Sequence, residues 1–151
     1  MSYINSGKEQ GATVHLGGER HGTEGYWIKP TIFTDVKPDM RIVREEIFGP
    51  VGVVIKFDDE EDVVRQANDT VYGLAAAVFT QDITRAIRVA HSLQAGTAWV
   101  CGLVLLLAVF QSADVGDVQI NCANQVHVQV PFGGFKQSGI GRELGEYALA
   151  K

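Results

Sequence analysis

The stretch YGLAAAVFTQDITRAIRVAHSLQAGTAWV (Tyr72–Val100) places a strand, a helix and a second strand in direct succession. AAAVFT (Ala75–Thr80) is apolar and ends on β-branched and aromatic residues, which predicts a strand. Asp82 can cap the helix that follows, and Gly96 is expected to end it in the C′ position. TAWV then begins the next strand. This order favours two parallel strands joined by a helical crossover.

The periodicity of the helix supports this reading. Its apolar residues recur at i, i+3, i+4 and i+7, which is the spacing of one helical face. They are Ile83, Ala86, Ile87 and Ala90. We therefore expect this face to pack on the strands beside it.

Upstream residues repeat the same order. VGVVIKF (Val51–Phe57) is a near-continuous apolar run, typical of a strand covered on both faces. In DDEED, which follows it, Asp58 or Asp59 can cap a helix whose first turn is acidic. Further strands are predicted at Lys29–Val36 and Thr13–Leu16. The pattern predicts an α/β fold, an open and mostly parallel sheet flanked by helices.

Composition excludes several classes of protein. The 151 residues carry a formal net charge of -5, so they lack the basic patch that nucleic-acid binding requires. The two cysteines, Cys101 and Cys122, form neither a disulfide framework nor a metal-ligand cluster, and the histidines have no ligand spacing. We expect no metal site and no nucleic-acid partner.

The first residues and the apolar run are the two places where the sequence could carry a signal peptide or a membrane-spanning helix. MSYINSGKEQ lacks the basic and apolar regions of a signal peptide. Ala98–Phe110 offers 13 residues without a charge, whereas a membrane-spanning helix needs about 20. We expect no membrane span.

EEIFGP (Glu45–Pro50) places two carboxylates before an apolar pair and a Gly-Pro turn. Arg41–Ile47 can form one or two helical turns before that turn. One glutamate could accept hydrogen bonds from the two hydroxyls of a ribose, with the phenylalanine ring against a flat heterocycle. The alternative is a solvated helix end followed by a core phenylalanine. The residues alone leave both interpretations open.

PFGGFKQSGIGRELGE (Pro131–Glu146) is glycine-rich but is not a phosphate-binding motif. It contains no G-x-x-x-x-G-K-[ST], and no G-x-G-x-x-G follows a strand. Cys122 and His127 lie five residues apart, which invites a nucleophile–base interpretation. Catalytic pairs are usually assembled in space, so this spacing carries little weight.

Taken together, four stretches resemble the C-terminal part of the NAD(P)-dependent aldehyde dehydrogenases. They are GYWIKPTIFTDVKPDMRIVREEIFGPV, NDTVYGLAAAVFTQD, AIRVAHSLQAGTAWV and NCANQVHVQVPFGGFKQSGIGRELGEYAL. The motifs EEIFGP, YGLAAAVFT and PFGGFKQSGIGRELG stand in the family's order and at suitable spacings.

The resemblance implies a set of site residues. Glu46 would bind the nicotinamide-side ribose of NAD or NADP, and Phe48 would lie beside the nicotinamide. The loop ahead of PFGG would line the aldehyde tunnel, which places Cys122, Ala123, Asn124 and Val128 near the substrate. Gly133, Gly134 and the GRE stretch would support the floor of the site. An aldehyde is the implied small-molecule substrate.

The resemblance also implies what these residues do not contain. The family's cysteine nucleophile attacks the aldehyde to give a thiohemiacetal; it stands in a Gly-Gln-Cys segment, and the glutamate base in Glu-Leu-Gly-Gly. Neither segment occurs here, and Cys122 does not match the nucleophile. The dinucleotide-binding domain and the strand that pairs subunits in the family's homo-oligomers are also missing. We therefore expect no catalytic residue among these 151 and no activity of this polypeptide alone.

Two further expectations follow. An alternative function is a non-catalytic fragment that associates with full-length subunits. The family implies the cytoplasm, or alternatively the mitochondrial matrix.

The family pattern is interrupted at one place. Val100–Gln119 divides TAW from INCAN, and without those 20 residues the chain reads AGTAWINCANQ. Valine codons begin with GT and one glutamine codon ends with AG, so the insert could begin and end as an intron does. We predict catalytic-domain residues at 1–99, an inserted translated intron at 100–119 and the end of the domain at 120–151. A genuine insertion is the alternative, although an inserted loop would normally be polar.

Overall fold

The computed structural model describes residues 1–101, 117–120 and 126–149, in two compact units, Met1–Phe57 and Asp58–Lys151. The first unit contains α1 (Ser2–Glu9), β1 (Thr13–Leu16), β2 (Thr31–Thr34), α2 (Arg41–Arg44) and β3 (Val51–Val53). The second contains α3 (Glu60–Asn68), β4 (Tyr72–Gly73), β5 (Ala75–Phe79), α4 (Ile83–Ser92), β6 (Thr97–Cys101), β7 (Asp117–Ile120), β8 (Phe135–Lys136) and a 3₁₀ turn at Glu146–Ala148.

The first unit packs two helices on a three-stranded sheet. β2 lies in the centre, antiparallel to β1 and parallel to β3. Phe33 of β2 is fully buried, against a cluster completed by Ile4, Ala12, Met40 and Ile42. A Cβ on Gly7 would lie 3.0 Å from both Ile42 Cδ1 and Phe33 Cζ, so this glycine lets α1 approach the core closely.

Two predictions for this unit are wrong in extent. The strand predicted over Val51–Phe57 ends at Val53, and Val54, Ile55 and Phe57 are 52%, 38% and 57% exposed. β3 lies at the edge of its sheet, and Val54–Phe57 follow it outside the strand, so the run is not a strand covered on both faces. The helix predicted to reach Ile47 ends at Arg44, because Glu45 already has an extended backbone.

The second unit contains the strand–helix–strand element of the opening motif. β5, β6 and β7 form a parallel sheet, and α4 lies between β5 and β6 in the chain. Ala86 and Ala90 of α4 pack against Ala98 of β6, with Val78 beside them. The α/β class, with mostly parallel strands flanked by helices, is confirmed.

The details of α4 differ from the predicted face. Asp82 caps it as expected, since its Oδ1 accepts a hydrogen bond of 3.0 Å from the Arg85 N–H. Ile83, predicted to face the core, is half exposed, and Val89 is buried instead. Asp59 caps α3 in the same way, accepting from the Asp62 N–H at 2.8 Å.

The prediction that Gly96 ends α4 is wrong. The helix ends at Ser92, and Leu93 is already extended. Gly96 instead comes so close to the main chain of Gly133 that a Cβ would overlap the Gly133 carbonyl oxygen. Close approach of backbone, rather than a left-handed turn, is what requires glycine here.

The predicted insertion falls partly on described residues. β6 continues through Val100 to Cys101. β7 pairs with it in parallel, from Thr97 opposite Asp117 to Val100 opposite Ile120. The apolar run Leu103–Phe110 lies outside the described residues. Residue boundaries at 100 and 119 are therefore still a prediction.

Candidate functional site

The two glutamates of EEIFGP have different environments. Oε2 of Glu45 accepts hydrogen bonds from the Tyr3 hydroxyl at 2.9 Å and from Nε of Arg41 at 3.0 Å. Glu46 is exposed to solvent. Adjacent residues at a helix end point in different directions, which allows one carboxylate to be bound within the unit while its neighbour is accessible.

Tyr3, Arg41 and Glu45 form one cluster, which we call the clamp. The Arg41 guanidinium lies 4.3 Å from the centre of the Tyr3 ring, over its face. The hydrogen bonds from Tyr3 and then from Arg41 hold the pKa of Glu45 below its usual value. The bond to Glu45 raises the pKa of Tyr3, and the same carboxylate raises the pKa of Arg41.

Phe48 is the exposed aromatic residue of this segment. Its side chain is 90% accessible, which excludes the interpretation of Phe48 as a core residue of this unit. Glu46 and Phe48 are separated by Ile47, which is partly buried against the core cluster. An acceptor of hydrogen bonds and an apolar ring thus project from a segment whose middle residue is anchored.

Of the residues expected near the substrate, the structure describes Val128. Its side chain is 74% exposed, and its carbonyl oxygen accepts a hydrogen bond of 3.0 Å from the Gly145 N–H. Cys122, Ala123 and Asn124 lie outside the described residues. Val128 belongs to the second unit and Glu46 and Phe48 to the first.

The glycine-rich segment is held mainly through its backbone. The Phe132 N–H donates to the Glu143 carbonyl oxygen, and the Glu143 N–H donates to the Phe132 carbonyl oxygen, both at 2.7 Å. Nη1 of Arg142 donates to the carbonyl oxygens of Gly134 at 2.8 Å and Gly141 at 2.9 Å. This segment therefore supports the loop that carries Val128 and does not resemble a phosphate cradle.

A depression of about 260 Å³ lies at the ends of α3 and α4 in the second unit. The side chain of Asn68 in its lining already bonds within the protein: Oδ1 accepts from the Gln94 N–H at 2.8 Å, and Nδ2 donates to the Ser92 carbonyl at 2.8 Å. The depression therefore offers little chemistry of its own.

Residues 1–101, 117–120 and 126–149 contain neither a metal-ligand cluster nor a membrane-spanning helix. Within those ranges, no three side chains of His, Cys, Asp or Glu are grouped so that they could hold a metal ion. None of the helices there has the length and apolar character needed to cross a bilayer.

Sequence reasoning missed the clamp. Arg41 and Glu45 have the i, i+4 spacing of a helical ion pair, which was a visible signal. Tyr3 is 42 positions away from Glu45 in the chain, and no local pattern joins them. The contact between Gly96 and Gly133 was missed for the same reason.

Comparison with known proteins gives a consistent result. The family model described as "Aldehyde dehydrogenase family" matches residues 1–105 and 103–151. An aldehyde dehydrogenase of Agaricus bisporus is 63% identical over 149 residues, which are 99% of this chain and 26% of that protein. A mitochondrial benzaldehyde dehydrogenase of Antirrhinum majus is 47% identical over 149 residues, 99% of this chain and 24% of that protein.

Solved structures agree with the sequence comparison. An aldehyde dehydrogenase of Bacillus cereus in complex with NAD⁺ superimposes with a TM-score of 0.81 at 51% identity. The match covers 98% of this chain and 26% of that structure. The chain thus spans about a quarter of the length of the proteins it resembles.

Proposed function

This chain belongs to the aldehyde dehydrogenase family, and on that premise we propose that it supplies the nicotinamide-side wall of a site that oxidises aldehydes to carboxylic acids with NAD or NADP. The observation that carries the proposal is the pairing of an accessible carboxylate, Glu46, with the 90% exposed ring of Phe48.

The side chains in this segment fit the cofactor chemically. A carboxylate accepts two hydrogen bonds from the vicinal hydroxyls of a ribose, and bonds to a charged acceptor are stronger than neutral ones. An exposed aromatic ring can pack beside a flat heterocycle. NAD(P), when bound, supplies the hydride acceptor of the oxidation. Glu46 would orient the ribose, and Phe48 would limit where the nicotinamide can lie.

The covalent chemistry of the family needs further residues. We propose that the cysteine that forms the thiohemiacetal and the glutamate that activates water belong to sequence outside these 151 residues. Val128 and the residues before it would then contact the aldehyde. The hydrogen bond from the glycine-rich segment to the Val128 carbonyl supports this proposal, because it fixes the backbone at Val128. On this proposal, the 151-residue polypeptide alone does not oxidise aldehydes.

A hybrid enzyme tests the cofactor role. In the hybrid, this chain without residues 100–119 replaces the matching quarter of the Agaricus bisporus enzyme. We expect NAD⁺- or NADP⁺-dependent oxidation of acetaldehyde, and a rise in the cofactor Kd of about tenfold in Glu46→Ala, since a charged hydrogen-bond acceptor is lost. Fluorescence titration with each cofactor measures the Kd.

The matched control is Glu9→Ala, which removes an exposed glutamate of the same unit. An unchanged cofactor Kd in Glu46→Ala, or an equal rise in Glu9→Ala, would contradict the assignment of Glu46. Turnover of acetaldehyde by the purified 151-residue chain would refute its inactivity. Association of that chain with the Agaricus bisporus enzyme, without turnover, would instead favour the non-catalytic fragment.

We also propose that Val100–Gln119 is a translated intron. The two matched segments, 1–105 and 103–151, meet within these residues, which supports an interruption of the family pattern there. Sequencing cDNA across Trp99 and Ile120 tests it. Transcripts that all retain the codons for 100–119 would contradict the intron and favour a genuine insertion.

A further inference from the structure

We propose that the clamp of Tyr3, Arg41 and Glu45 positions Glu46 for the cofactor ribose, so that the first glutamate of EEIFGP acts as a positioning residue for the second. This inference rests on the proposed function of Glu46. It adds three side chains to the site that do not themselves touch the cofactor.

The geometry of the clamp is convergent. The Tyr3 hydroxyl and Arg41 Nε both donate to the same oxygen, Oε2 of Glu45, at 2.9 and 3.0 Å. Arg41 also lies over the Tyr3 ring at 4.3 Å, so each member contacts the other two. A side chain held by two partners that also contact each other has little freedom to change rotamer.

The clamp contains Arg41 of α2 and helps to hold this short helix in place. α2 has only four residues, far fewer than an isolated helix needs to be stable in water. Its inner face is fixed by Ile42, which is 3% exposed in the core cluster. Its outer face is fixed by the clamp, and its first turn by a bond of 3.0 Å from the Arg41 N–H to Oε1 of Gln10.

Glu45 is the residue at which the chain leaves α2. Its backbone N–H still donates to the Arg41 carbonyl at 3.0 Å, while its φ and ψ of -104° and 150° are extended. Fixing this residue from both its main chain and its side chain defines where the next residue begins. The clamp therefore fixes the backbone position from which Glu46 projects. Because Ile47 is anchored in the core cluster, the position of Phe48, the residue after it, is fixed as well.

Charge gives the clamp a second effect. The two carboxylates are adjacent in sequence, and Arg41 pairs with Glu45, which reduces the repulsion that a free carboxylate would exert on its neighbour. Glu46 is the exposed glutamate of the pair that lies outside the clamp.

The experiment uses the hybrid enzyme and NAD⁺ or NADP⁺, whichever it prefers. We expect the cofactor Kd to rise about fivefold in Glu45→Ala and about threefold in Tyr3→Phe, because loss of a hydrogen bond releases the residue that orients Glu46. Glu45→Gln should recover most of the affinity, since both bonds go to one oxygen and the amide carbonyl can accept both. The aldehyde KM should change less than twofold.

A matched control separates positioning from general loss of stability. Glu60→Ala removes a surface carboxylate that accepts from Arg88 at 2.6 and 2.8 Å in the other unit. Its cofactor Kd should equal that of the unsubstituted hybrid, with a comparable small change in Tm. An equal rise in Kd for Glu60→Ala, or a Glu45→Gln variant as weak as Glu45→Ala, would overturn the proposal.

The outcome also distinguishes this inference from the proposed function. If Glu46→Ala weakens the cofactor and Glu45→Ala does not, the clamp is overturned and the role of Glu46 stands. If Glu46→Ala has no effect, the proposed function fails, and the clamp is overturned with it.

Discussion

The segments 41–50 and 126–146 belong to different units and are held in different ways. The first begins with the single helical turn α2 and is fixed by side chains, namely the clamp and Ile42 beneath it. The second has little regular structure and is fixed mainly through peptide groups, such as the paired bonds between Phe132 and Glu143. Both carry residues that the family resemblance assigns to the site.

This difference predicts which substitutions each segment tolerates. A segment held by side chains is sensitive to changes of side-chain chemistry, and its response depends on pH when the groups ionise. A segment held by backbone contacts is sensitive to added atoms at its glycines and to loss of groups that bond carbonyls. The following three substitution experiments, on the hybrid enzyme, test this contrast.

The largest effect is expected for Gly96→Ala. The new Cβ would overlap the Gly133 carbonyl oxygen, which is main chain and cannot rotate away. We expect a loss of about 3 kcal/mol in the free energy of unfolding, at the upper end of the overpacking range. Urea denaturation measures it. Gly141→Ala is the control, since a Cβ there meets nothing within 4 Å, and an equal loss in both variants would contradict the close-approach explanation.

A smaller effect is expected for Arg142→Ala. It removes donors to the carbonyl oxygens of Gly134 and Gly141, the first of which belongs to a buried residue. We expect a loss of about 1.5 kcal/mol. Arg142→Lys should recover only part of it, because an ammonium group does not reproduce the planar guanidinium. Full recovery by lysine would indicate that charge alone is required.

The smallest expected effect is the change with pH in the stability that Tyr3 and Glu45 of the clamp contribute. Because the pKa of Glu45 is lowered in the folded protein, its contribution to stability is complete above pH 4.5, the ordinary glutamate value, and is lost as pH falls below it. The raised pKa of Tyr3 has the opposite sign: that contribution is complete below pH 10.0 and is lost as pH rises above it.

Comparing Tm for the hybrid and its Tyr3→Phe variant across this range measures the effect. The difference in Tm should be widest between the two limits and narrow at both ends. The absence of a Tm difference at every pH would show that the clamp acts through packing of the Tyr3 ring and not through its hydroxyl. Phe retains that ring, which makes the variant a specific test.

Local signals in the sequence predicted the elements but not their contacts. Asp59 and Asp82 cap helices where a capping residue followed by a helical pattern placed them. The parallel pair β5–β6 followed from a helix between two apolar runs. Such predictions depend on neighbours within a few residues, where propensity and periodicity act.

Two of the failures involve distant partners. Gly96 was assigned to a helix end because nothing local indicates that Gly133 approaches it. Val54–Phe57 was expected to be covered because an apolar run does not reveal where its strand ends or which distant elements pack on it. Glu46 and Phe48 were found through resemblance to a family, whereas their residue types alone left two interpretations open.

The two tryptophans give each unit its own optical reporter. Trp99 of β6 is 6% exposed, whereas Trp27 of the first unit is 70% exposed. Acrylamide should quench the emission of Trp27 in the native protein and reach Trp99 only after the second unit opens. Emission from Trp27→Phe therefore follows β6 alone, so the strand next to the predicted insertion can be monitored without any added label.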